Sequence, residues 1–167
     1  MKTEYTTSLH GNEFVRKDDP QIEFRGLLDS AMAQAAFGAS IARFENKPNL
    51  EKGFCEIERG LMEIMSGHYK CTVVKLSDIC GKDAETLHKM SHNPQKYFST
   101  TQFIPTPEQG MALAYMNVLR TRIRDAERAL IACYKDCENE QALSLIQAMN
   151  RLSSAAFVIM CEENQNK

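Results

Sequence analysis

From Glu108 to Lys167 the chain contains one glycine and no proline, while apolar residues recur at steps of three and four. Nothing else in the sequence narrows the fold so far, because helix interiors exclude proline and repay that spacing with a continuous buried edge. One segment, roughly 107–134, aligns Met116, Leu119, Ile123, Ala126 and Leu130. A second, roughly 140–161, aligns Ile146, Met149, Leu152, Ala156 and Met160. Two such heptad-like seams are the pattern of antiparallel helices in a bundle.

The first half supplies their partners. At "KDDPQIEF", Asp19 suits an N-cap and Pro20 the first helical position, and the pattern runs through Leu28, Met32, Ala35 and Ala39 towards Phe44. A second helix from about Leu50 to Met65 sets Phe54, Ile57, Leu61 and Ile64 on one side, and Gly67 closes it. Between His68 and Gly110 the signals are mixed. "CTVVKL" reads as a short strand or an extended connector, "DAETLHKMSH" as a short helix capped by Asp83, and "NPQKYFSTTQFIPTPEQG" as a loop punctuated by Pro94, Pro105 and Pro107. The expectation is an all-α fold, a helical bundle of about five helices forming a single domain over residues 1–167.

Net charge of −2 provides no broad basic field, which argues against nucleic acid as the partner. No apolar run is seen to approach the roughly 20 residues of a membrane span, and the start lacks the apolar core of a signal peptide. A cytoplasmic protein with reduced thiols is expected. The cysteines are Cys55, Cys71, Cys80, Cys133, Cys137 and Cys161, with no CxxC pair. His68 and Cys71 form an HxxC followed by Cys80, but a fourth ligand is missing, so idle thiols are preferred to a metal site. Neither a metal site nor a structural disulfide is expected.

The stretch "NVLRTRIRDAERALIACY" carries the most chemistry. Beside its apolar seam runs a second stripe of Arg120, Arg124, Glu127 and Ile131, continued by Arg128, while Arg122 and Asp125 point elsewhere. Two readings stand. An intrahelical ion-pair ladder is the commoner use of such spacing. An oxyanion site is the other, because the planar guanidinium fork holds phosphate or carboxylate in a fixed geometry. In the last helix Asn150, Ser153 and Ser154 lie similarly beside the seam.

Taken together, "DPQIEFRGLLDSA", "LHKMSHNPQKYFSTTQFIP", "RTRIRDAER" and "MNRLSSAAFVIM" resemble, in order and over about residues 13–160, the ATP:corrinoid (cobalamin) adenosyltransferases, most closely their ethanolamine-utilisation branch. The resemblance implies transfer of the 5′-deoxyadenosyl group of ATP, supplied with Mg2+, to cob(I)alamin, giving adenosylcobalamin. It implies a homo-oligomer, by family habit a trimer, and an adenosylcobalamin-dependent ethanolamine ammonia-lyase as the enzyme served, with bacterial microcompartments as a possible setting. The nucleophile belongs to the corrinoid, so the chain needs no Ser, Cys or His triad.

Residue by residue, the resemblance makes Arg124, Glu127, Asp29 and Arg120 the catalytic group, with Asp29 and Arg120 bridging a subunit boundary. Tyr5, Thr6, Lys17, Arg124, Glu127 and Asn150 would bind ATP, and Phe103 would meet the cobalamin. The chain is expected to depart from the family at three places, one being the extra N-terminal region with a His/Cys metal motif that the ethanolamine branch typically carries. It lacks the Gly-Asp-x-Gly phosphate loop, keeping only Gly11 in "EYTTSLHGNEFVRKDDP", and Ser154 stands where an aspartate usually follows "NRLS". A non-catalytic corrinoid- or nucleotide-binding relative, acting as chaperone or sensor, is the alternative that the missing loop motivates.

Overall fold

The computed structural model describes residues 3–135 and 139–165. Four long helices dominate: α1 (Pro20–Phe44) and α2 (Pro48–Lys70) in the first half, then, after two short helices, α3 (Ala84–His92) and α4 (Pro94–Phe98), α5 (Met111–Cys133) and α6 (Glu140–Gln165). α1 packs on α2 and α5, and α6 packs on the same two, so the long helices close as a square in the order α1, α2, α6, α5. α3 lies across α6, and α4 rests on both.

Both C-terminal seams are buried as expected: Met116, Leu119, Ile123, Ala126 and Leu130 face the core, as do Met149, Leu152, Ala156 and Met160. Ile146 is only partly buried, and Leu145 takes the interior place beside it. α1 contributes mostly small residues, with Ala31, Ala35, Ala39 and Ala42 buried, and this admits the larger side chains of its neighbours.

The α2–α6 contact has a particular construction. Gly53, Gly60 and Gly67 fall seven residues apart on α2, and Ile159, Leu152 and Leu145 fall seven apart on α6, running the other way. A Cβ on Gly53 would stand 3.0 Å from Ile159 Cδ1, and one on Gly60 would stand 2.7 Å from Leu152 Cδ2. On Gly67 it would stand 3.6 Å from Leu145 Cδ2. Gly53 and Gly60 are therefore holes filled by branched knobs from the antiparallel helix, while Leu145 only rests against Gly67.

Several boundaries differ from expectation. Gly67 does not close α2, which continues to Lys70 and ends on Cys71 in the left-handed region at φ 54°. The chain then folds back over Gly67, with Thr72 N donating to Gly67 O at 3.0 Å and the Val74 side chain occupying the space a Cβ would need. The residues of "CTVVKL" form an extended connector and no strand. Within the expected loop lie α4 and a 3₁₀ turn, Pro107–Gln109, so α5 begins at Met111. Gly110, at φ 102°, carries no capping side chain; Glu45 from the end of α1 accepts instead from Met111 N at 2.8 Å and Ala112 N at 3.0 Å.

A two-stranded hairpin, β1 (Thr6–Ser8) with β2 (Phe14–Arg16), precedes α1, pairing Thr6 with Arg16, Thr7 with Val15 and Ser8 with Phe14. Sequence periodicity did not anticipate it. Asp19 caps α1 through Gln21 N at 2.8 Å, and Asp83 caps α3 through Thr86 N at 2.7 Å, as expected.

By length and composition α6 is apolar enough to cross a membrane, at a hydropathy of 1.3, which revises the expectation that no run approaches that length. Its apolar faces are spent on the core, with 56% of that window buried. The five described cysteines are free; Cys137 lies outside the described residues.

Candidate active site

On α5 the charged residues separate into two sets. Asp125 pairs with Arg122 at 3.6 Å and with Arg128, forming the intrahelical ladder that the spacing allowed. Arg120 and Arg124 take no part in it. Arg120 is partly buried and donates from Nε to Asn117 Oδ1 at 3.1 Å; burial, then the charge of Arg124, push its guanidinium below the ordinary range. Neither arginine has a carboxylate partner among the described residues.

Both line a cavity of about 330 Å³ between α5 and α6, roofed by the α3–α4 segment. Asn150 and Ser154 face them from α6, and Ser91 and His92 from α3. Asn150 Nδ2 donates to Glu127 Oε1 at 3.2 Å, which holds Glu127 behind Asn150, outside the lining. Two cations without acid partners beside neutral hydrogen-bonding groups, with no carboxylate in the lining, make a cavity whose chemistry suits an anion. Phe103 is half-buried against the core, next to Thr101 and Gln102, which line the cavity wall.

The remaining candidate residues lie elsewhere. Lys17 N donates to Tyr5 O at 2.9 Å, extending the hairpin so that Tyr5, Thr6 and Lys17 come together with Tyr5 and Lys17 exposed. Asp29, also exposed, lines a groove of about 730 Å³ between α1 and α2, with Thr7 and Ser8 of the hairpin and an apolar floor of Met32, Met62 and Met65. In the square of helices the α1–α2 groove and the α5–α6 cavity are on opposite sides. One chain therefore brings Arg120, Arg124, Glu127 and Asn150 together, and separately Tyr5, Thr6, Lys17 and Asp29. It does not join the two groups, and Asp29 does not reach Arg120.

The thiol–imidazole cluster weighed from the sequence is dispersed. His68 is buried under Arg25, whose Nε donates to His68 Nδ1 at 3.2 Å. Cys80 instead lines a different cavity with Lys82 and Glu162. Among the described residues no group of three His, Cys, Asp or Glu side chains could hold a metal ion.

Ser91 and His92 were given no role from the sequence. Their signal was the polar face of α3, where His88, Ser91 and His92 stand at i, i+3 and i+4, opposite the buried Leu87.

Comparison with known proteins identifies relatives of the chain. The "Corrinoid adenosyltransferase EutT" of Escherichia coli (strain K12) is 29% identical over 160 residues, covering 95% of this chain and 58% of that protein. The protein of the same name from Salmonella typhimurium (strain LT2) is also 29% identical, with the same coverage. The chain thus spans under two thirds of the length of these relatives. A model of one family, described as cobalamin adenosyltransferase, matches residues 3–163, nearly the whole fold. The chain belongs to the cobalamin adenosyltransferase family.

Proposed function

We propose that this chain is an ATP:cob(I)alamin adenosyltransferase whose site is assembled from two copies. The observation that carries the reading is the pair Arg120 and Arg124, left without acid partners over a cavity while Asp125 satisfies Arg122 and Arg128. Cobalt(I) of the corrinoid gives its electron pair to C5′ of ATP. The C5′–O bond breaks, and triphosphate leaves with that bond's electrons. Arg124 and Arg120 stabilise the charge gathering on the triphosphate, where preorganised cations act most strongly. Glu127, held by Asn150, orients the guanidinium or the ribose. Phe103 meets the corrin and helps keep water from the reduced cobalt.

The second half of the site comes from the α1–α2 face of a neighbouring copy, bringing Tyr5, Thr6 and Lys17 to the nucleotide and Asp29 to Arg120. A contact between two different faces repeats head to tail and closes into a ring, for which three copies is our proposal. Mg2+ would be carried by phosphate oxygens and water, as this ion usually is, since the described residues offer it no cage. We take the enzyme to act in the cytoplasm, as one domain, for an ethanolamine ammonia-lyase, with a microcompartment as the finer setting.

Mixing the protein with MgATP and chemically reduced cobalamin should yield the light-sensitive absorbance spectrum of adenosylcobalamin. Light scattering should give a trimer, and a stable monomer at micromolar concentration would sink the composite site. A non-catalytic binder is the second reading, favoured by one observation: the β1–β2 turn, with Gly11 at φ 52°, stands where the phosphate loop is missing. Tight ATP binding without adenosylcobalamin formation would establish it.

A further inference from the structure

The motif "LHKMSHNP" contains a histidine, His92, that the proposed reaction leaves without a task. His92 is the last residue of α3 and lines the cavity that holds Arg120 and Arg124. Its Nδ1 lies 3.0 Å from the carbonyl oxygen of His88. A carbonyl only accepts, so Nδ1 carries the proton and Nε2 is the nitrogen left for the cavity. The Ser91 hydroxyl, 3.2 Å from both that carbonyl and Nδ1, steadies the ring. The rings of His88 and His92 stack with centroids 4.0 Å apart.

A histidine pair one turn apart invites a divalent cation, but the surrounding charge speaks against one. Arg120 and Arg124 face His92 from α5, Arg151 approaches the pair from α6, and Lys96 stands on α4. On α3 itself Lys89 is bridged to Glu85 at 2.5 Å. The cavity lining holds no carboxylate; Glu127 stands behind Asn150. An anion satisfies all of these groups.

We propose that His92 is a proton-linked ligand of the triphosphate end of the nucleotide: as the anion binds, Nε2 takes one proton from solvent and donates it to a phosphate oxygen. Nδ1–H stays on the His88 carbonyl, so the ring need not turn. The proposal rests on the adenosyltransferase reading of the cavity. Anion affinity then gains on the acid side of neutrality, where histidine changes charge.

The test is titration calorimetry of ATP and of inorganic tripolyphosphate at pH 6, 7 and 8, each in two buffers of different ionisation heat, with wild type, His92→Gln and Arg124→Ala. The exposed position of His92 makes His92→Gln safe for folding. Relative to His92→Gln, wild type should gain about five- to tenfold in affinity for both ligands between pH 8 and pH 6, since one unit of pKa change is a factor of ten. Titration of the ligands themselves is common to both proteins and cancels. Wild type should also take up protons on binding, and His92→Gln should take up fewer. Parallel pH profiles with equal proton uptake overturn the proposal. If Arg124→Ala binds both ligands as wild type does, the cavity is not the triphosphate site and the functional reading falls with it. If Arg124→Ala weakens binding while the other two proteins run parallel, only the role of His92 is lost.

Discussion

Asn150 Nδ2 donates to Glu127 Oε1 at 3.2 Å, tying α6 to α5 beside a seam that is otherwise apolar. The bond fixes which way the Glu127 carboxylate faces, and therefore what Arg124 meets at the rim. Asn150→Asp keeps the shape but sets one carboxylate against another. ATP affinity should fall about tenfold or more, the scale of one charge-assisted hydrogen bond, as read by equilibrium binding. Unchanged affinity would show that the link is architectural only.

Arg124→Ala should lower kcat/KM for ATP by about ten- to a hundredfold, because it removes a charge-assisted hydrogen bond from the departing triphosphate. Arg124→Lys should rescue it poorly, since a point charge does not reproduce the fork. Arg122, engaged with Asp125 at 3.6 Å, is the internal control, and Arg122→Ala should stay near wild type. Steady-state kinetics beside melting curves decide the matter. Equal behaviour of the two alanine variants, or loss of melting temperature with full activity, would reduce the stripe to a ladder.

The carboxylate of Glu45 receives the first amides of α5 from across the bundle. Glu45→Ala should cost about 1–2 kcal/mol, the usual worth of a helix cap, measured by urea denaturation. Glu45→Gln should recover part of it, because the amide oxygen still accepts. Amide exchange at Met111 and Ala112 should quicken in Glu45→Ala before the rest of α5 responds.

Burial, then the Arg25 guanidinium, then His10 push His68 down to about 4. An unfolded histidine titrates near about 6.5. Between those values the unfolded chain binds a proton that the folded chain refuses. The stability from neutral His68 is therefore whole above the unfolded pKa and drains away as pH falls towards about 4. Denaturant midpoints from pH 7 to 4.5 should fall by an amount worth up to about 3 kcal/mol. His68→Gln, which still accepts from Arg25 and does not titrate, should flatten that slope.

Gly60→Ala should destabilise the fold by about 1–3 kcal/mol, the cost of overpacking a filled core, because its Cβ would meet Leu152 Cδ2 at 2.7 Å. Paired with Leu152→Ala, the loss should be less than the sum of the two single variants, as contacting positions couple. Thermal melts of the four proteins complete the cycle. Strict additivity would mean that the helices separate to admit the methyl group.

The long helices were legible because their seams are periodic and nothing interrupts them. The end of α2 was not. Gly67 resembles a C-cap, but its missing side chain serves Val74 while Cys71 takes the left-handed turn. The hairpin was hidden because Thr6–Ser8 and Phe14–Arg16 are too short for alternation to register. Arg124, Glu127 and Asn150 were marked as candidates by motif, yet which arginines the ladder would consume depends on where Asp125 points. The place of His92 followed from no periodicity at all, since it needs α3 to be laid across α6 by a connector without regular structure.

Gly53 and Gly60 of α2 act on α6 as notches act on a ratchet. Sliding α6 by one residue would lift Leu152 and Ile159 out of the notches at Gly60 and Gly53 together and drive them into backbone. Sliding by a whole heptad would leave one knob without a notch. Axial displacement of α6 is thus quantised and costly, and Asn150, Ser153 and Ser154, carried on the same rod, keep a constant height above α2. If the proposed site takes a substrate as large as a corrinoid, the room for it does not come from axial movement of α6.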